Sequence, residues 1–552
     1  MSLRLSLATA VPEETAKVAR AAFPRGCLLM DVRDSLGPVF DDTRFARLFS
    51  TRGRPAEVPW PLALVTLLQF AENLSDRDAA DAVRARLDWK YLLALPLDDP
   101  GFDSTVLCEF RARLVDGHAE HELLDAVLAV AVARRLVRPR GRQRTDSTHV
   151  LAAVKMRSRI DAATEAFRQA LNVLAVAAPA WLLGQTRPHW ADRYSGHGDW
   201  GHAAKARAGR DGHVRELGED GHHLLAAIWA DEAPDWLRRL PAVEILRRIW
   251  VQQFYLCDDG IRWRGPGEGY APSSRFISSP YDADARYGRK RTMTWVGYKA
   301  HLTEACDEGR PRIITHVQTE TAPTADGEVT TPAHRALAAK GLLPAEHLVD
   351  TGYLDAALLI EATRDFGVDL VGPTRPDLQW QARRGTGFAA AAFQVDWDAQ
   401  HVTCPRGAKS SGWTASTEFG WETVKVKFSQ ADCKPCPNRA DCAGPTASRR
   451  VMTLRDRREF EALQAARKRE RTPEFRAVHA LRAGVEATLS QGVRSFGMRR
   501  ARYIGLAKTR LQHVAIAAAM NLVRIGDWLA GVPIAPTRRS HFGQLVGLAG
   551  AT

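Results

Sequence analysis

Three acidic residues in three unlike settings constrain this chain more than any other feature. Asp146 sits in Thr145-Asp146-Ser147-Thr148-His149-Val150, Asp350 in His347-Leu348-Val349-Asp350-Thr351-Gly352-Tyr353, and Glu486 in Arg482-Ala483-Gly484-Val485-Glu486-Ala487-Thr488-Leu489. The first two lie in short β-branched stretches, as strand carboxylates do, and the third lies on a segment of helical period. A strand Asp, a second Asp at a strand end and a helical Glu can converge on two divalent ions. Such a pair clamps the attacking and leaving oxygens of a phosphodiester about 4 Å apart. Any fold that does this has to join segments far apart in sequence.

At 552 residues the chain exceeds one hydrophobic core, so several domains or one heavily inserted domain are expected. Its net charge of +13 points to a polyanionic partner. The excess is concentrated: 17 Lys/Arg against 6 Asp/Glu fall between Arg449 and Arg510, around Glu486. The sequence shows no charged start, apolar run and small-residue cleavage site of a signal peptide. Its apolar runs, such as Ala170–Gly184, are broken by Asn172 and Pro179. The expectation is a soluble, cytoplasmic, nucleoid-associated protein with no membrane partner.

Residues 1–28 read as an uncommitted arm and 29–115 as a helical domain. Pro61 suits the opening of a helix over Leu62–Asn73, and Ser75-Asp76-Arg77-Asp78 fits a capping box opening a second helix, Asp76–Leu87. Two helices with so short a turn have a helix-turn-helix shape, and the second carries Arg77, Arg84 and Arg86, with Lys90 just beyond. Residues 116–140 form a connector helix, and Thr145–Val154 has strand composition. Residues 160–285 turn helical, with a polar break around Tyr194–His223. His197, His202, His213, His222 and His223 in that break lack a repeated ligand spacing and read as a polar loop.

Strand patterns return at Thr294–Ala305 and Arg312–Thr321, followed by a helix over Gly327–Ala339. Glu346–Val349 then ends in Asp350-Thr-Gly before a helical segment from Leu354. Strand, carboxylate, tight turn, helix is where α/β sheets place reactive groups. Residues 380–450 are rich in Gly, Pro and Cys and read as strand-poor and inserted. A helix is expected from Pro473 to about Gln491, with Phe475, Val478, Leu481, Val485 and Leu489 as its apolar stripe. His479, Arg482 and Glu486 follow at spacings of three and four and point the same way. Leu511–Ile525 is a buried helix, and 531–552 a loose tail.

These residues resemble a DDE transposase of the bacterial insertion sequences, in the group with a helical N-terminal domain and a Y-x-x-R-x-x-x-E helix signature. The resemblance rests on Thr145-Asp146-Ser147-Thr148-His149, Asp350-Thr351-Gly352-Tyr353, Arg482-x-x-x-Glu486 and Arg499-Arg500-Ala501-Arg502-Tyr503. Arg52-Gly53-Arg54-Pro55 and Ala71–Arg77 add to it. It covers about residues 30–530. It implies an α/β protein whose catalytic domain, 141–530, is RNase H-like: a mixed five-stranded sheet with helices on both faces. Asp146 would lie on the first strand, Asp350 just after the fourth and Glu486 on a following helix. Two positions depart from the pattern. His479 stands at the signature Tyr, and Val493 stands where a Lys is expected, with Arg494 next and Lys508 further on.

The resemblance implies cleavage at element ends and joining of the freed 3′-OH to target DNA, with two Mg²⁺ (or Mn²⁺) held by Asp146, Asp350 and Glu486. Hard ions of this kind prefer carboxylate oxygen and phosphate. His479 and Arg482 would stabilise the phosphorane or grip the scissile strand. Arg494, Arg499, Arg500, Arg502 and Lys508 would grip the backbone of double-stranded DNA, terminal inverted repeats and target alike, and the 29–115 domain would read sequence. Synapsis of two ends implies at least a dimer. Two other readings remain: an RNase H-like nuclease or resolvase without joining, and an inactive DNA-binding repressor of transposase descent.

Cys404, Cys433, Cys436 and Cys442 are spaced as C-x28-C-x2-C-x5-C. Four thiolates with a C-x-x-C pair fit a closed tetrahedral Zn²⁺ site, and the same types can hold an iron–sulfur cluster or stay unligated. Cys27, Cys108, Cys257 and Cys306 are expected to pack as small apolar residues.

Overall fold

The computed structural model describes residues 2–3, 10–154, 157–196, 207–418 and 420–533. The expected tail beyond Pro533 and His197 and His202 of the polar break lie outside these residues. The central sheet is built from β1 (Arg142–Leu151), β4 (Arg286–Lys290), β5 (Met293–Ala305), β6 (Ile314–Thr321), β7 (Glu346–Leu348) and β8 (Asp369–Val371). Short hairpin strands β2 (Phe254–Cys257) and β3 (Gly260–Trp263) stand apart from it.

The sheet runs β6-β5-β1-β7-β8. β5 pairs antiparallel with β1 and β6, and β7 parallel with β1 and β8. β4 pairs with the first residues of β5 and shares the β6 edge, so six strands fill five positions where five strands were expected. β1 is central, and Asp146 lies at its middle opposite Leu302 rather than near its start.

Strand alternation sends Thr145 and Asp146 to opposite faces. On the Thr145 side its hydroxyl meets His347 Nε2 at 2.7 Å. His347 Nδ1 in turn meets His334 Nε2 at 2.8 Å, from helix Thr330–Ala339. The Asp146 side carries helix Gly484–Ser495 and the long helix Leu506–Leu529. Leu511, Ile516, Met520, Leu522 and Ile525 of the long helix are buried, each contributing roughly 1.5–3 kcal/mol. They share one core with Leu64, Leu67, Phe70, Phe110 and Leu128 of the N-terminal helices and Leu302 and Ile314 of the sheet. A charge at Ala517, which has no exposed surface, would break this layer.

Several expectations change. The arm contains a helix, Glu13–Ala22, which buries Ala19 against Met30 and Tyr91. The expected pair is present as Pro59–Ala71 and Asp76–Ala85, with the Ser75–Asp78 capping box formed. The connector helix is shorter, Glu122–Ala133. Helix Arg207–Trp229 runs through the second half of the polar break, so His213, His222 and His223 are helical. The 160–285 segment has its own core around Phe167, Leu217, Leu246 and Trp250.

Residues 380–450 are not strand-poor. They hold β9 (Gln394–Asp396), β10 (His401–Thr403), β11 (Ser410–Glu418) and β12 (Trp421–Phe428), and β12 also pairs with β13 (Val451–Arg455). Among the described residues no helix is long and apolar enough to cross a membrane.

Candidate active site

Asp146, Asp350 and Glu486 meet around one guanidinium. Arg482 Nη2 lies 3.3 Å from Asp146 Oδ2 and 3.5 Å from Asp350 Oδ2, and its Nη1 lies 3.6 Å from Glu486 Oε1. One cation against three carboxylates leaves a net charge of −2 beside the middle of β1. The Asp146 side chain is only 12% exposed and that of Glu486 is 67% exposed. Burial raises the Asp146 carboxyl above its ordinary range. Arg482 and the Ser147 N–H pull it down, and Asp350 pushes it up.

Backbone amides aim the two aspartates. Ser147 N–H donates to Asp146 Oδ1 and Gly352 N–H to Asp350 Oδ1, each at 2.8 Å. Asp350 caps the short turn Thr351–Tyr353, whose last residue is buried. The Tyr353 hydroxyl lies 2.7 Å from His301 Nδ1 on β5, and burial pushes His301 down to about 3. This neutral pair packs the turn against the sheet.

Glu486 is placed by a buried charge cluster that the sequence reading did not single out. Glu304 Oε1 accepts from Arg144 Nε at 2.7 Å. Glu304 Oε2 accepts from Thr488 Oγ1 at 2.5 Å and Arg524 Nη1 at 3.2 Å. The helix expected from Pro473 to Gln491 is broken here. Helix Pro473–Ala480 gives way to a 3₁₀ turn, Leu481–Ala483, before helix Gly484–Ser495 begins. The Arg144 guanidinium donates to the Leu481 carbonyl at the break. A Cβ at Gly484 would stand 2.1 Å from Arg144 Nη1, so only glycine admits this approach. The tighter turn rotates Leu481 off its stripe, and it is exposed.

His479 does not touch the carboxylates. Its Nε2 lies 3.2 Å from the Val349 carbonyl and its ring stacks on Phe475, beside Asp350 rather than on the reacting side.

The expected DNA-contacting cations divide. Arg77, Arg494, Arg499, Arg500 and Lys508 are exposed. Lys90 is 2% exposed, and its ammonium donates to the carbonyls of Pro96 and Asp99, which removes it from any DNA surface. Arg84 is spent on Asp81 and the carbonyls of Pro100 and Phe102, and Arg86 on Glu72 and Asp88. Arg502 bonds Leu74 O at 2.8 Å and Asn73 and lies over the Phe70 ring. Each of these side chains is engaged by nearby carbonyls or carboxylates, while those of Arg84 and Arg86 stay 46% and 37% exposed.

Mg²⁺ typically takes one or two carboxylates and completes its shell with water and substrate phosphate. The oxygens of Asp146 and Asp350, facing one nitrogen, fit that donor set. Among the described residues, no three His, Cys, Asp or Glu side chains are grouped to hold an ion by themselves. The thiols of Cys404, Cys433, Cys436 and Cys442 line one small cavity of about 50 Å³, and all four are free. Burial pushes Cys442 up to about 11, helped by the other three sulfurs, so the thiols are neighbours without enclosing an ion as they stand. Elsewhere Cys306 is buried as expected, but Cys108 is exposed and donates to Asp76.

A mixed sheet with one acidic residue on its central strand, a second just past the neighbouring strand and a third on a docked helix defines a class of carboxylate-site α/β proteins. Residues 403–526 match the family described as "Transposase DDE domain", and residues 19–113 match "Transposase domain (DUF772)". Both matches are consistent with a DDE transposase of insertion sequences, the family whose motifs the sequence resembles. Arg482, Glu486 and the four cysteines fall inside the first match, while Asp146 and Asp350 lie outside both. Neither the curated proteins nor the solved structures contain a match to the chain.

Proposed function

We propose that the protein is a DNA transposase that cuts at the ends of an insertion sequence and joins the 3′-OH to target DNA. The observation that carries this reading is the convergence of Asp146, Asp350 and Glu486 on Arg482 from segments far apart in sequence. The strand order β6-β5-β1-β7-β8, with Asp146 central and Asp350 following β7, supports an RNase H-like core.

Asp146 and Asp350 would hold Mg²⁺ or Mn²⁺, with Glu486 turning in from its exposed position. Two such ions would supply an activated oxygen nucleophile and stabilise the leaving 3′-oxygen. Arg482 balances the carboxylates until substrate arrives and is then placed to neutralise phosphate oxygens. The Ser147 and Gly352 amides keep the aspartates aimed, and the Tyr353–His301 pair keeps the turn from shifting. No protein nucleophile is required, because water and then the freed 3′-OH attack in turn. Synapsis of two ends would bring two copies of the chain together.

The test is a cleavage and strand-transfer assay on DNA from the flanks of the gene. Wild type should cut and join with Mg²⁺ or Mn²⁺ and only bind with Ca²⁺. Asp146→Asn, Asp350→Asn and Glu486→Gln should each abolish chemistry while end binding stays within about twofold. Cutting without joining would make the protein a nuclease instead, and binding without either would make it a repressor.

A further inference from the structure

An open groove of about 770 Å³ begins beside the two aspartates. Its inner end is formed by Ser147 and Gly352, the residues whose amides bond Asp146 and Asp350. Its outer wall is the β4–β5 hairpin. Arg289, Lys290, Arg375 and Arg499 line it and are exposed, and among the described residues no ion pair engages any of them. The single carboxylate in the lining, Asp326, is already bonded to Lys299 at 2.9 Å. Arg289 Nε donates to the Arg291 carbonyl and Arg499 Nε to Thr148 Oγ1, so the groove presents four cations without an ion-pair partner, of which Lys290 and Arg375 carry no such bond among the described residues.

Its floor carries the Trp295 indole, with the His149 ring 5.6 Å away. A Cβ at Gly288 would come within 2.6 Å of the Trp295 ring, so glycine lets the indole lie across the hairpin. The Trp295 N–H is spent on the Tyr298 carbonyl, and the indole is buried. At the hairpin tip Arg291 takes a left-handed conformation, φ 56°, where Gly or Asn would be unstrained.

We infer that this groove holds a short length of one DNA strand by its sugar–phosphate backbone and delivers the scissile phosphate to Asp146 and Asp350. The inference rests on the transposase reading and goes further by naming the residues that grip the strand. A volume of this order takes a ligand of drug size, a few nucleotides of one strand rather than the duplex. Cations contacting phosphate read charge and not sequence.

The test uses the full chain with Ca²⁺ and a fluorescein-labelled oligothymidylate, titrated over a range of salt. For a single strand, each phosphate no longer neutralised by a cation lowers the slope of log K against log salt by about 0.7. Lys290→Ala with Arg375→Ala should therefore lower it by about 1.4, and Lys290→Arg with Arg375→Lys should restore it. In the cleavage assay the double alanine variant should raise KM at least several-fold with kcat retained. An unchanged slope and KM in a correctly folded variant would overturn the groove. So would a change confined to duplex DNA. If wild type neither cuts nor joins DNA, the transposase reading fails, while the salt slope still reports whether the groove binds a strand.

Discussion

Replacing Glu304 by Gln keeps the shape of the buried cluster and removes its negative charge. Glu304 has no exposed surface, and its carboxylate faces two guanidiniums, Arg144 at 2.6 Å and Arg524 at 3.2 Å, whose side chains are 6% and 14% exposed. Without it two like charges stay buried and uncompensated, which costs roughly 3–5 kcal/mol. For a cooperative unit of about 250 residues each kcal/mol moves Tm by about 2 °C, so Glu304→Gln should lower Tm by roughly 6–10 °C. Because Thr488 loses its charged acceptor, the helix carrying Glu486 should loosen first, and DNA cleavage should fall well below the melting temperature. Circular dichroism melts and cleavage assays at 25 °C read the two effects. Arg144→Met combined with Glu304→Met should cost less than the sum of the single changes, since an apolar pair replaces a charged one. A Glu304→Gln protein that melts within 1 °C of wild type would refute the reasoning.

Four buried histidines, His301, His334, His347 and His513, make stability depend on pH. Burial pushes His301 down to about 3 and His334 and His513 to about 4, and holds His347 well below its ordinary value. Between about pH 6.5 and 4 the unfolded chain binds more protons than the folded one. Stability should then fall as pH drops, by up to about 1.4 kcal/mol per pH unit for each histidine. Urea titrations showing equal stability at pH 7 and pH 5 would contradict this. Arg502→Ala should destabilise the joint between Asn73-Leu74 and the core by about 1.5–3 kcal/mol, read as a lower urea midpoint, whereas a surface role would leave the midpoint in place. Elemental analysis should find about one zinc per chain, lost in Cys436→Ser. Iron would indicate a cluster, and the absence of both metals would end the metal reading.

Much of this was legible because each signal was local. The Ser75–Asp78 capping box, the strand Met293–Ala305 and the Asp350 turn follow from propensity and spacing. Alternation also offered β12, where Val424, Val426 and Phe428 interleave with Lys425 and Lys427, but the Cys and Gly around it obscured the pattern. The Arg144–Glu304 cluster had a fainter sign: opposite charges on two largely buried strands, which burial forces into partnership. The break at Leu481–Ala483 had none, because it depends on a guanidinium arriving from β1, more than 300 residues earlier. The engagement of Arg84, Arg86, Lys90 and Arg502 by nearby groups was not legible, because sequence counts charges and does not show which carbonyls lie within reach.

The last long helix is also a matter of timing. Leu506–Leu529 fills the space between the N-terminal helices and the sheet, so the layer containing Leu64, Phe70 and Phe110 cannot close until that helix has left the ribosome. At 5–20 residues per second this takes on the order of tens of seconds, during which early apolar helices wait without their partner. A chain cut short by a frameshift or a stop before Leu506 would leave them uncovered and be a substrate for proteases. A gene that decays from its 3′ end would therefore lose the packed N-terminal helices along with the last helix, rather than leave a folded N-terminal fragment behind.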